Sequence, residues 1–109
     1  MKNNKTYLRH IIDAIDKARE YTQGKSYEEF LQSSLIIDGV VRELEIIGEA
    51  SGNISEDFQE AHLEIPWSRM IGMRNRLIHE YFGVDKKVVW DTVINDLPEL
   101  KQALEYLLG

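Results

Sequence analysis

Apolar positions along the chain recur at three- and four-residue intervals, the spacing that lays side chains along one face of a helix. Leu8, Ile11, Ile12, Ile15 and Ala18 follow this period and predict a first helix over residues 5–22, stopped by Gly24. Ser26-Tyr27-Glu28-Glu29 has the pattern of a capping box, in which a serine hydroxyl and a glutamate three residues on satisfy each other's backbone N–H groups. It predicts the start of a long second helix reaching about Ser51. Phe30, Ile37, Val41 and Leu44 mark one side of that helix, and Leu31, Leu35 and Ile46 broaden it. Asp38, Arg42, Glu45 and Glu49 form a polar stripe whose spacing allows ion pairs from Arg42 to Asp38 and Glu45. The stripe reads as a solvated face or as one wall of a polar groove.

Gly52-Asn53 breaks the pattern, and Ser55 is placed to cap a short turn over residues 56–61. Pro66 suits the first position of a third helix, with Gly83 as its C-terminal cap. Asp85 is placed to cap a fourth helix carrying Val89, Trp90, Val93 and Leu97. Pro98 imposes a break or a new start, after which Leu100, Ala103, Leu104, Leu107 and Leu108 make a last apolar stripe. No segment alternates in the manner of a strand. The expected fold is all-α: an up-and-down bundle of four to five helices forming a single domain over residues 1–109. The apolar surface of the second helix exceeds what so few neighbours can cover, which predicts dimerisation through helix faces.

Composition narrows the function. The chain has 109 residues, 43% hydrophobic and 29% charged, and no cysteine. A disulfide framework, a thiolate metal site and a thiol nucleophile are therefore excluded, and a reducing cytoplasmic setting is expected. No run approaches the roughly 18–20 apolar residues that cross a bilayer. Met1-Lys2-Asn3-Asn4-Lys5 is not followed by an uninterrupted apolar stretch, so no signal peptide is expected. The net charge of −6 argues against indiscriminate nucleic-acid binding. Its distribution changes that argument. Between Trp67 and Trp90, Arg69, Arg74, Arg76, Lys86 and Lys87 outweigh Glu80 and Asp85 by three charges.

This basic segment contains the densest chemistry of the chain, Met73-Arg74-Asn75-Arg76-Leu77-Ile78-His79-Glu80-Tyr81-Phe82-Gly83. On a helical wheel Trp67, Met70, Ile71, Arg74, Leu77, Ile78 and Tyr81 fall in one stripe, the face expected to enter the core, with Arg74 in its middle. A guanidinium there is costly unless it is paired or opens onto a groove. A second face carries Ser68, Gly72, Asn75, His79 and Phe82; its small residues, Gly72 above all, permit close approach by a backbone or ligand. His79 is within reach of Asn75 and Arg76. Arg74 and His79 are about 140° apart and cooperate only if the helix end unwinds near Gly83 or both rim one cleft, such as one between two chains.

One imidazole, two fixed cations, an amide and a phenol suit metal-free cleavage of RNA by its own 2′-hydroxyl. His79 would move a proton, Arg74 would neutralise charge on the phosphoryl group, and Asn75 would orient one or the other. No carboxylate–histidine set has metal-ligand spacing, no cofactor is implied, and His10 and His62 read as surface histidines. The same residues also fit a structural role: His79 as a helix-end cap, and Arg74 as a buried ion-pair partner of Glu45 or Glu49.

Ile65-Pro66-Trp67 followed by Ile71-Gly72-Met73-Arg74-Asn75-Arg76-Leu77-Ile78-His79-Glu80-Tyr81-Phe82-Gly83-Val84-Asp85 resembles the signature of HepT-like proteins in the HEPN superfamily. Arg42-Glu43-Leu44-Glu45-Ile46-Ile47-Gly48-Glu49-Ala50 and the tail from Val89-Trp90 through Asn95-Asp96-Leu97-Pro98-Glu99-Leu100 resemble the family as well. The resemblance implies an all-α dimer with its cleft at the dimer interface. It also implies a metal-independent ribonuclease toxin of a HEPN/nucleotidyltransferase toxin–antitoxin module, of type II or type VII. The catalytic pair falls on Arg74 and His79, with Asn75 and Arg76 supporting or contacting RNA. The implied partner is a minimal nucleotidyltransferase antitoxin that adds AMP to Tyr81. The alternative is a non-catalytic helical module that binds nucleotide or docks such a nucleotidyltransferase.

Overall fold

The computed structural model describes residues 3–80 and 83–109, and every regular element among them is helical. They are α1 (Asn4–Thr22), α2 (Tyr27–Leu31), α3 (Ser34–Asn53), α4 (Glu56–Ala61), α5 (Trp67–His79), α6 (Lys86–Asp91), a π-helix (Thr92–Asp96) and α7 (Leu97–Leu108). The chain forms an all-helical bundle.

Its centre is α3. Helix α1 runs antiparallel to it: Asn4 and Ser55 exchange two hydrogen bonds at one end, and the Tyr21 ring lies against Gly39 at the other. Leu8, Ile11, Ala14, Ile15 and Ala18 of α1 are buried against Val40, Leu44, Ile47 and Ala50 of α3 in one continuous core. Helix α5 lies on the other flank of α3 and adds Trp67, Met70 and Leu77 to that core. Helix α7 closes it with Leu97, Leu100 and Leu104, and the Lys101–Asp16 ion pair at 2.7 Å ties α7 to α1.

The expected caps are present. Ser26 and Glu29 form both bonds of the capping box, which also holds the Glu29 carboxyl below its usual range. The Ser55 and Asp85 side chains accept backbone N–H bonds at the starts of α4 and α6.

Four expectations need correction. The long second helix is two helices: the Ser33 hydroxyl accepts the Ile36 N–H and starts α3 afresh. The break redirects the apolar pattern, so Phe30 is fully buried while Leu31 and Leu35 face solvent, Leu35 at 82% exposure. Gly52-Asn53 does not end α3, which continues through Asn53. Helix α5 ends at His79 rather than Gly83, with Glu80 as C-cap donating to the Arg76 carbonyl at 2.8 Å. Pro98 does not interrupt the helical path. The preceding turn widens into the π-helix, where the Leu97 N–H reaches Thr92 five residues back, and Pro98 sits in the first turn of α7.

Candidate functional site

Helix α5 carries the candidate residues, and its seat on α3 decides where they point. The two helices cross at Gly48. A methyl carbon at that position would overlap the Arg74 Cβ and lie 2.7 Å from the Met70 carbonyl oxygen. One turn along, the buried Ser51 hydroxyl donates to the Ile47 carbonyl at 2.7 Å and lies 3.6 Å from the Met70 sulfur. Gly52 then leaves room for Ile71. The small residues that allow close approach are thus on α3. Gly72, the position the helical wheel singles out, has open space where its side chain would be.

Arg74 is half-buried in this seam. Among the described residues no carboxylate lies within ion-pair distance of its guanidinium, so the expected alternative of a pair with Glu45 or Glu49 is not realised. The Asp38, Arg42, Glu45 and Glu49 stripe likewise forms no ion pair, and only Glu45 of the four is partly covered. Asn75, Ile78 and His79 face solvent, His79 as the last residue of α5. Ile78, expected in the core stripe, is 44% exposed. The buried line of α5 is Trp67, Met70 and Leu77, with Arg74 at its edge on the α3 side.

Arg76 belongs to the opposite flank. It lines a cleft with Glu80, Asp85, Val88 and Val89, and a second groove with Arg69, Asp91, Asn95 and Asp96. Arg69 bridges that groove to Asp96 at 3.3 Å. Two residues along a helix are about 200° apart, which is why Arg74 and Arg76 serve different surfaces. Within one chain, Arg74 and His79 stand on different sides of α5 and no described hydrogen bond joins them. Tyr81 lies outside the described residues.

His10 is exposed, its ring edge-on to Tyr7. His62 has more structure around it than expected. Its ring lies 4.4 Å from that of Phe58, Nδ1 is 3.3 Å from Glu64, and its carbonyl accepts the Trp67 indole N–H at 3.0 Å. This fixes the entry into α5 rather than supplying reactive groups. Among the described residues no cluster of three histidine or acidic side chains is placed to hold a metal ion.

Sequence comparison agrees with this assembly of helices. The family model described as ribonuclease HepT-like matches residues 11–107. A Thermococcus cleftensis protein named "Probable ribonuclease HepT" is 48% identical over 106 residues, covering 97% of this chain and 96% of its own. A Caldanaerobacter subterraneus subsp. tengcongensis protein that carries a provisional RNase name is 40% identical over 99% of this chain and 96% of its own. A Methanocaldococcus jannaschii protein, also provisionally named an RNase, is 42% identical over 93% of both chains. No solved structure matches. With the match running through α1, α3, α5 and α7, the chain belongs to the HepT-like ribonuclease family.

Proposed function

We infer that this ribonuclease is a metal-independent RNA endonuclease in which Arg74 and His79 do the chemistry. The observation that carries the reading is the state of Arg74. Its charge is half-buried beside α3 with no carboxylate near it among the described residues, the condition of a cation kept for an anionic ligand.

In the proposed reaction the 2′-oxygen attacks the adjacent phosphorus and the bond from phosphorus to the 5′-oxygen breaks. The products are a 2′,3′-cyclic phosphate and a 5′-hydroxyl. One proton leaves the 2′-hydroxyl and one arrives on the 5′-oxygen, and His79 is the group that moves protons near neutral pH. Arg74 balances the negative charge that builds on the phosphoryl oxygens. Asn75, exposed between the two around the helix, orients the phosphate or the imidazole.

Arg74 and His79 of one chain diverge, so the working cleft is composed by two copies. Exposed Leu35 on α3 and Ile78 on α5 are the apolar side chains such a contact would cover. The proposed partner is a minimal nucleotidyltransferase antitoxin that adds AMP to Tyr81; the added phosphate would repel the RNA backbone.

The test is cleavage of a defined RNA by purified wild-type, His79→Ala and Arg74→Ala chains, with circular dichroism and sedimentation as controls for fold and association. Loss of proton transfer should slow His79→Ala by about 10²–10⁴-fold, and a 2′-deoxy substitution at the cleaved position should block the reaction. Undiminished cleavage by His79→Ala would refute the mechanism. Tight binding of a nucleotidyltransferase by a wild-type dimer that cleaves no RNA would favour a docking module instead.

A further inference from the structure

We propose that Gly48 is a positioning residue for the reaction, acting through Arg74. The proposal rests on the nuclease reading above but comes from a different helix. Gly48 lies in the interior of α3, where glycine weakens a helix relative to alanine. Its φ is not in the left-handed region that would require glycine. The reason for its presence is across the seam. The Arg74 Cβ and the Met70 carbonyl occupy the space that any side chain at 48 would need, and the Arg74 Cγ would be 3.3 Å from it. The stem of Arg74 therefore rests directly on the backbone of α3, and the absent side chain sets how far the guanidinium stands from that helix.

The other interior glycines of α3 supply a built-in comparison. At Gly39 an added Cβ would be 3.3 Å from the Tyr21 ring, a side chain on α1. At Gly52 it would be 4.0 Å from Ile71 Cγ1, an ordinary contact. Only at Gly48 does the obstacle include backbone, which cannot turn aside. A methyl there must lift the Met70–Arg74 turn of α5 away from α3. Displacements of this order at a group that stabilises a transition state cost roughly 100-fold in rate.

The experiment compares kcat and KM for Gly39→Ala, Gly48→Ala and Gly52→Ala on one RNA substrate, each checked for fold. Gly48→Ala should lose roughly 10–100-fold in kcat with KM unchanged, while Gly39→Ala and Gly52→Ala cleave like the wild type. On an Arg74→Ala background, which keeps the Cβ but removes the guanidinium, Gly48→Ala should add no further loss. Multiplying losses would mean that Gly48 matters only for packing and would overturn the proposal. So would a folded Gly48→Ala chain with wild-type kcat.

If Gly48→Ala does not fold, Ser51→Thr crowds the same seam by one methyl against Met70 while keeping the hydroxyl, and the kcat loss should appear there in smaller measure. The nitrogen resonance of the Arg74 Nε–H reads the seat without cleavage. It should move in Gly48→Ala and stay in Gly39→Ala. If the wild type cut no RNA, the nuclease reading would fall, and an unmoved resonance would separately dismiss the role of Gly48.

Discussion

At the scale of single residues, two glycines one helix apart have opposite meanings. Gly48 is pressed against Arg74 and Met70, whereas Gly72 has nothing within contact of an added Cβ. Gly72→Ala should therefore raise stability by about 0.5–1 kcal/mol, through better helix propensity and a less flexible unfolded chain. Urea denaturation should show a higher midpoint at constant slope; a lower one would mean that the open space is needed. Much of the site was legible at this scale. The spacing of Arg74, Asn75 and His79 gave their angles around α5, and the expectation that Arg74 and His79 diverge within one chain holds. What a single helix cannot reveal is its neighbour. The wheel marks Gly72 as small, but which small residue is covered depends on α3, and Gly48 carried no local signal beyond being a glycine among good helix formers.

At the scale of elements, capping chemistry was readable wherever a short polar side chain preceded an apolar run, as at Ser26, Ser55 and Asp85. Ser33 was missed because the apolar period continues across it in sequence, from Phe30 to Ile37. The hydroxyl of Ser33 settles the matter by bonding to the Ile36 N–H. Ser33→Ala should cost about 1 kcal/mol, seen as a lower melting temperature and faster amide exchange over the first turn of α3. If the variant melts with the wild type, the two helices have merged into the single one that the pattern suggested. The end of α5 was placed four residues late because Gly83 is a familiar stop; the chain leaves the helix at Glu80, so that His79 occupies the last turn, where carbonyls have no helical partner.

At the scale of the molecule, an acidic protein presents one basic segment, and a single chain leaves Leu35 and Ile78 uncovered. Leu35→Glu and Ile78→Glu should each weaken self-association at least about tenfold, the effect of roughly 1.4 kcal/mol. Cleavage should then fall with dilution of the enzyme. A wild-type chain that sediments as a monomer at working concentration would remove the composite cleft. The helical class and the order of its elements could be read from periodicity. The pairing of α5 with α3, and the separate clefts lined by Arg76, come from tertiary packing and could not.

The widened turn between α6 and α7 has a consequence of its own. A stretch with Thr92 bonded to Leu97 holds one residue more than the same length of ordinary helix. Removing a single residue there would leave a continuous rod that still looks helical by every spectroscopic measure. It would also twist everything downstream by about 100°. Leu100 and Leu104 would swing out into water, and the lid of the core would carry Glu99 and Lys101 inward in their place.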